Sequence, residues 1–147
     1  MAKFIFNMQS LLNIKEKLEE QSKTDYGKAI ANLEEEKEKL IMLEEKKVQN
    51  LDGFKESIEL GVNPNKLQMI NQFTNYVKSE IQQQILNIQK AEQIVEEKRL
   101  VLLERMKDKK ALETLKEKKQ DEYFQEELQK EQKIIDEIVS FKYNKKD

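Results

Sequence analysis

Carboxylates are the most abundant side chains in this sequence that could do acid–base or metal chemistry. Glutamates occur in runs at 34–36 and 44–45, whereas histidine and cysteine are absent. Without those two residue types, Ser–His and Cys–His nucleophile pairs and Cys/His zinc sites cannot form. Paired carboxylates need a cleft that separates their pKa values, and a thin helical rod offers none. Asp-rich calcium loops and glycine-rich phosphate loops are also missing. The sequence therefore predicts no catalytic residue, no metal site and no cofactor.

The composition favours long helices over a compact globular core. Charged residues make up 38% of the 147 residues and aromatic residues 7%, with three glycines and one proline. Globular domains carry only about 25% charged residues. A seam between two helices needs just two apolar residues in seven, so such a polar chain can still form a coiled coil. Disorder is the alternative for this composition, but it does not explain the regular spacing of Leu, Ile and Val.

One break divides the chain, between Gly53 and Pro64. Gly61 is suited to end a helix, and Asn63 followed by Pro64 is suited to cap and begin the next. We therefore expect a single all-α coiled-coil domain over residues 1–147, with two long helices in an antiparallel hairpin. The helices are predicted at about 4–51 and 65–139, with a connection at about 52–64 and the second helix longer.

Apolar residues in both halves recur at steps of three and four, which places them on one helix face. In the first half they are Phe4, Met8, Leu11, Leu18, Tyr26, Ile30, Leu33, Leu40, Leu43, Leu51 and Phe54. In the second half, two seven-residue columns begin at Leu67 and Ile70; they are mostly apolar to Leu102 and basic afterwards. Because apolar residues then shift to Leu103 and Met106, we expect the seam to change face or weaken near Arg105.

The second helix should extend beyond the first. Folded back at Gly61, Phe4 should reach the level of about 112–119, so the last part of the second helix would have no intramolecular partner. An exposed apolar stripe of this kind usually binds another surface. Its residues are Tyr123, Phe124, Leu128, Ile135 and Ile138.

Charge and hydropathy narrow the classes of partner. The net charge is −2, and the basic stretch at 105–110 is interleaved with acids, which argues against nucleic acid. A docking strip for an acidic protein and a plain solvated face both stay open for that stretch. No run of about 18 apolar residues and no signal-peptide core are present, so we expect a soluble cytoplasmic protein.

Two blocks of the sequence resemble the flagellar export protein FliJ family. The first contains Phe4, Phe6, Met8, Gln9, Leu11, Leu12, Ile14 and Lys15, and the second contains Glu104, Arg105, Met106, Lys109, Lys110, Leu112, Glu113, Leu115, Lys116 and Glu117. The resemblance implies a non-enzymatic, stalk-like coiled coil of the flagellar type III protein export apparatus. It implies three partners: the hexameric export ATPase, whose assembly and activity the protein would promote, the export gate membrane protein, and chaperones of late substrates. The protein would then lie at the inner membrane export apparatus, touching the membrane only through protein partners.

The resemblance also implies two sets of binding residues. The paired helix ends would enter the ATPase ring, and this end of the hairpin is the one that carries the exposed stripe. The implied ring-binding residues are Phe4, Met8, Leu11, Leu112, Leu115, Tyr123, Phe124 and Leu128. The export gate would contact Leu43, Phe73, Val77 and Gln84. Core packing is an alternative role for Leu43 and Val77, since both lie on the predicted seam. For the whole chain, the alternative is a self-associating structural coiled coil or a cargo chaperone unrelated to an ATPase ring.

Overall fold

Two long helices make up nearly all of the described structure. A computed structural model of the chain describes residues 3–61 and 63–145. Helix α1 comprises Gln9–Glu59 and helix α2 comprises Pro64–Lys145, and no strand occurs in these ranges. The prediction of an all-α antiparallel hairpin with a longer second helix is confirmed. Both helices end later than expected, at Glu59 instead of about Leu51 and at Lys145 instead of about Val139.

The connection between the helices uses the residues that the sequence indicated. Gly61 has a φ of 76°, a left-handed conformation that glycine adopts without strain, and its N–H donates to the Ile58 carbonyl at 3.3 Å. Asn63 then caps α2, since its side-chain oxygen accepts from the Asn65 N–H at 3.2 Å. Gly53 does not end α1, because a single glycine inside a helix costs only about 1 kcal/mol.

The chain divides into two compact units, which are described separately. Unit 1 comprises Met1–Glu20 with Leu103–Asp147, and unit 2 comprises Gln21–Leu102. Each unit therefore contains one part of α1 and one part of α2.

The seam of unit 2 lies where the sequence columns predicted it on α2. Val77, Gln84 and Ala91 are buried at intervals of seven residues. On α1 the buried positions are the small residues Ser22 and Ala29. Small side chains let two helix backbones approach closely, so the larger apolar residues lie beside the contact line. For that reason Ile30 and Leu51, which we expected on the seam, are exposed.

The seam of unit 1 continues along the same α2 columns. It differs from two expectations, one for Leu11 and one for the seam near Arg105. Leu12 is buried and its neighbour Leu11 is exposed. On α2 the column positions remain half-buried beyond Leu102: Arg105, Lys109, Leu112 and Lys116. Leu103 and Met106, which lie outside the columns, are exposed. Of the two alternatives expected near Arg105, the change of face is therefore wrong, whereas a weaker seam agrees with the absence of a fully buried α2 residue between 103 and 145. Lys109 is accommodated in the seam because α1 supplies Glu19 opposite it, as described below.

Candidate protein-binding surfaces

A short non-helical segment, residues 3–8, precedes α1 and is called the arm. Aromatic and β-branched residues, which have modest helix propensity, make up its centre at Phe4-Ile5-Phe6. Phe6 is buried, and its carbonyl accepts from the Gln9 N–H at 3.0 Å. The Phe4 ring lies 5.6 Å from the Tyr123 ring, measured between centroids, at an angle of 49°. The arm thus reaches further along α2 than the expected level of 112–119, because a non-helical chain spans more distance per residue than a helix.

The arm and α2 enclose a pocket of about 360 Å³, called the arm pocket. Four of the residues that we assigned to ring binding line it: Phe4, Met8, Leu115 and Tyr123. The structure therefore brings half of the predicted set together. The other four, Leu11, Leu112, Phe124 and Leu128, do not line this pocket.

Beyond the arm pocket, α2 presents an exposed apolar surface, called the distal face. It begins at Phe124 and Leu128, which are 61% and 44% exposed. Its further members are Ile134, Ile135, Ile138, Val139 and Phe141. All described residues from 128 to 145 are exposed, so the expectation of an uncovered apolar stripe is confirmed within this range. The distal face also extends past the residues that the sequence singled out, to Val139 and Phe141.

Charged groups hold the seam of unit 1. Glu19 is only 4% exposed, and its Oε2 lies 2.7 Å from the Nζ of Lys109. The hydrogen bond that the Lys109 ammonium donates to Glu19 raises the pKa of Lys109 above its usual value. Lys15 pairs with Asp108 at 3.4 Å in the same way. Part of the basic stretch at 105–110 is thus engaged with α1.

The residues assigned to the export gate have unequal exposure. Val77 and Gln84 are 2% and 7% exposed, and Leu43 is half-buried, whereas Phe73 is 46% exposed. The Phe73 ring lies 6.5 Å from the ring of Tyr76. Only Phe73 of the four therefore presents a large apolar surface to a partner.

The exposed aromatic pair belongs to a surface that we did not predict. Met69, Phe73 and Tyr76 are all exposed and follow one another at steps of four and three residues on α2. We call these three residues the aromatic flank. The signal was present in the sequence, since this spacing puts side chains on one side of a helix. Because the seam columns beside these residues have the same spacing, the sequence pattern alone did not separate the aromatic flank from the seam.

Gln84 places a neutral amide inside the seam of unit 2. Its Nε2 donates to the Glu36 backbone carbonyl at 2.8 Å and to the Glu36 Oε2 at 2.5 Å, while its Oε1 accepts from Asn87 at 3.2 Å. This amide, followed by Lys39, lowers the pKa of Glu36. Nearby, Asn50 donates a hydrogen bond to the Thr74 hydroxyl. The seam of unit 2 therefore contains satisfied polar groups among its apolar residues.

Two further features of the described residues bear on function. Within residues 3–61 and 63–145, no three acidic side chains converge as a metal site would require. Neither α1 nor α2, over the same residues, has a stretch both long enough and apolar enough to span a bilayer.

Comparison with known proteins gives the family. The family model described as flagellar FliJ protein matches residues 4–147, so the chain belongs to the FliJ family. A solved structure of CT670 from Chlamydia trachomatis, a protein proposed to be a YscO homolog, is similar in fold. The TM-score is 0.68 at 19% identity, over 97% of this chain and 96% of that one. No curated protein sequence matches this chain.

Proposed function

We propose that this chain is a non-enzymatic, stalk-like coiled coil that binds the hexameric ring of the flagellar export ATPase through unit 1. Membership of the FliJ family makes the chain a component of a type III protein export apparatus. The observation that carries ring binding is the uncovered distal face beside the arm pocket. Exposed apolar surface of this kind marks a protein contact.

Ring binding would affect ATP hydrolysis through the asymmetry of the helix pair and not by supplying catalytic groups. A helix pair inside a six-fold ring offers a different surface to each subunit. It therefore stabilises some nucleotide states over others, because a ligand shifts an equilibrium by its differential affinity for the two states. Promotion of ring assembly and of ATP hydrolysis follows from the same contacts.

The aromatic flank is the surface that we propose for the export gate. Its exposed ring at Phe73 supplies the apolar contact, together with Met69 and Tyr76. Leu43, Val77 and Gln84 would contribute by holding the two helices in place behind it, since buried side chains cannot reach a partner. Chaperones of late substrates complete the proposed set of partners, and the protein would lie at the inner membrane export apparatus only through these protein contacts.

An ATPase assay with the purified flagellar export ATPase tests ring binding. We expect the wild-type chain to increase ATP hydrolysis and hexamer formation, and the double variant Phe124→Ser/Leu128→Ser to lose most of that effect. The matched control is Ile94→Ser/Leu100→Ser, which removes two exposed apolar residues from unit 2. No stimulation by the wild-type chain over a wide concentration range would contradict the proposal.

Self-association is the second candidate function, because the distal face could equally cover a second copy of the chain. Sedimentation velocity separates the two. A monomer at all concentrations supports the stalk, whereas a tight dimer that Phe124→Ser/Leu128→Ser dissolves supports a structural coiled coil.

A further inference from the structure

A second regular surface lies on the side of α1 away from the seam of unit 2. Its members follow one another at alternating steps of four and three residues, so they share one side of the helix. They are Glu34, Glu38, Ile41, Glu45, Val48 and Asp52, called the acidic–apolar stripe. All are exposed, whereas Leu33, Leu40 and Leu43 on the other side of α1 are half-buried against α2.

The charge of this stripe has one sign. It holds four carboxylates and no lysine or arginine. Glu34 has a weak ion pair with Lys37 at 3.8 Å, but within the part of the chain that the structure describes no basic side chain comes within ion-pair distance of Glu38, Glu45 or Asp52. Glu34 and Glu38 are four residues apart, a spacing at which like charges destabilise a helix by a few tenths of a kcal/mol. The stripe therefore carries negative charge at a small cost to α1.

The two apolar members of the stripe face solvent. Ile41 is 54% exposed and Val48 is 57% exposed, and they lie seven residues apart. Together with Glu44 and Glu45 they border a shallow depression of about 330 Å³. Spacing of seven residues is the repeat with which one helix presents apolar side chains to another.

The outer side of α2 in the same unit carries no such charge. The equivalent steps of four and three on α2 give five neutral polar residues and one leucine, all of them exposed: Gln68, Gln72, Asn75, Ser79, Gln82 and Leu86. One hairpin thus has an uncharged outer side on one helix and an acidic outer side on the other. The difference points to a role in binding and not in stability.

We propose that the acidic–apolar stripe binds a basic amphipathic helix of a partner protein, laid along α1. Apolar side chains of the partner would pack on Ile41 and Val48, and its flanking lysines or arginines would pair with the carboxylates on either side. The stripe shares no residue with the arm pocket, the distal face or the aromatic flank. It is therefore a separate interaction surface, and its occupant is defined by positive charge together with a seven-residue apolar repeat.

A synthetic peptide tests the proposal directly. The probe is a labelled helix of about three heptads with leucine at the a and d positions and lysine at the flanking positions. Its binding to the full chain is measured by fluorescence anisotropy beside a scrambled peptide of the same composition. We expect the patterned peptide to bind roughly tenfold more tightly than the scrambled one, and less tightly as salt is raised.

Substitutions in the acidic–apolar stripe test whether the peptide binds there. Glu38→Lys/Glu45→Lys should weaken binding of the patterned peptide roughly tenfold, and Ile41→Ser/Val48→Ser roughly fivefold, with the helical circular dichroism unchanged. The matched control Glu92→Lys/Glu97→Lys makes the same change in net charge at exposed positions of α2 and should alter binding less than about twofold.

Three results would overturn the proposal. The first is equal binding of the patterned and scrambled peptides. The second is equal loss of affinity in the stripe and control variants, which would indicate attraction by net charge alone. The third is concentration-dependent self-association of the wild-type chain that Glu38→Lys/Glu45→Lys abolishes, which would identify a second copy of the chain as the occupant.

Discussion

The seams of units 1 and 2 join the same two helices by different chemistry. In unit 2 the polar contacts are neutral or involve an amide, between Gln84 and Glu36 and between Asn50 and Thr74. In unit 1 they are ion pairs, between Glu19 and Lys109 and between Lys15 and Asp108. The strength of the amide contacts depends on hydrogen-bond geometry, and the strength of the ion pairs depends also on ionic strength.

This difference suits the two seams to different tasks, one to holding the helices in register and the other to docking. A buried amide sets the register of a coiled coil, because a shift of the helices would leave it without partners. The Lys15–Asp108 pair is partly exposed, so it is screened by salt and can be exchanged for contacts with a partner, whereas burial of the Glu19 carboxylate makes its pair with Lys109 less sensitive to salt. The seam of unit 2 is therefore suited to hold the register of the hairpin, and unit 1 is suited to the proposed docking to the ATPase ring.

The largest effect is expected when a charge is placed in the seam of unit 2. Val77→Asp buries a carboxylate at a position only 2% exposed, and should destabilise the chain by about 3 kcal/mol or more. Ser79→Asp, on the exposed side of the same helix, is the control and should change stability by less than about 0.5 kcal/mol. Urea unfolding followed by circular dichroism measures both. Similar midpoints for the two variants would show that Val77 is not part of a packed seam.

Removal of the amide at position 84 should have the next largest effect. Gln84→Ala deletes the hydrogen bonds to Glu36 and should cost roughly 1–2 kcal/mol in the free energy of unfolding. The neighbouring Gln83→Ala is the control, since Gln83 is exposed and bonds only to Asn87 within its own helix. Equal and small losses for both variants would contradict the assignment of Gln84 to register.

The arm should depend on its aromatic contact in unit 1. Phe4→Ala removes the ring that packs against Tyr123 and should cost about 1 kcal/mol, whereas Ile5→Ala, at a fully exposed neighbour, should cost almost nothing. Hydrogen exchange of the amides in residues 3–8 reports this locally. If the two variants exchanged alike, the arm would not be held by the Phe4 ring.

Salt should distinguish the two seams. Raising the ionic strength from about 0.01 to 1 M shortens the Debye length roughly tenfold, so it should speed hydrogen exchange near the partly exposed Lys15 and Asp108 more than near Gln84. In Lys15→Gln the exchange near Asp108 should become faster at low salt and insensitive to added salt. Equal responses of the two regions would remove the electrostatic distinction.

Acid should act on unit 2 through Glu36. Its pKa is lowered in the folded chain, chiefly by the hydrogen bond from Gln84, so its stabilising contribution is complete above the usual value of 4.5 and is lost as the pH falls through the lower folded value. In Gln84→Ala this part of the pH dependence should be reduced. A titration of the Glu36 carboxyl by NMR checks the direction, and a pKa at or above 4.5 in the wild-type chain would contradict it.

The fold was largely predictable from the sequence, because its signals are local. Gly61 and the Asn63-Pro64 pair define the turn, and the column through Val77, Gln84 and Ala91 gives the seam of α2. The choice of Leu12 over Leu11 in α1 was not predictable, since both are leucines at adjacent positions and only the partner helix decides between them. The arm was missed because helical periodicity continues through Phe4 and Met8 although the backbone there is not helical.

The binding surfaces were only partly predictable. The exposed distal face follows from unequal helix lengths, which the sequence reveals. The burial of Glu19 does not, because a single glutamate on a charged helix is expected to face solvent unless a basic residue such as Lys109 lies opposite it. The sequence did not single out Met69 and Tyr76 either, because the seam residues beside them have the same spacing.

Hydrogen exchange of the full chain with and without the purified flagellar export ATPase tests the division of tasks most directly. We expect the ATPase to protect residues 3–8 and 112–128 of unit 1, with exchange in residues 74–91 of unit 2 unchanged. Protection confined to residues 74–91, or no protection anywhere at saturating ATPase, would contradict the assignment of unit 1 to docking.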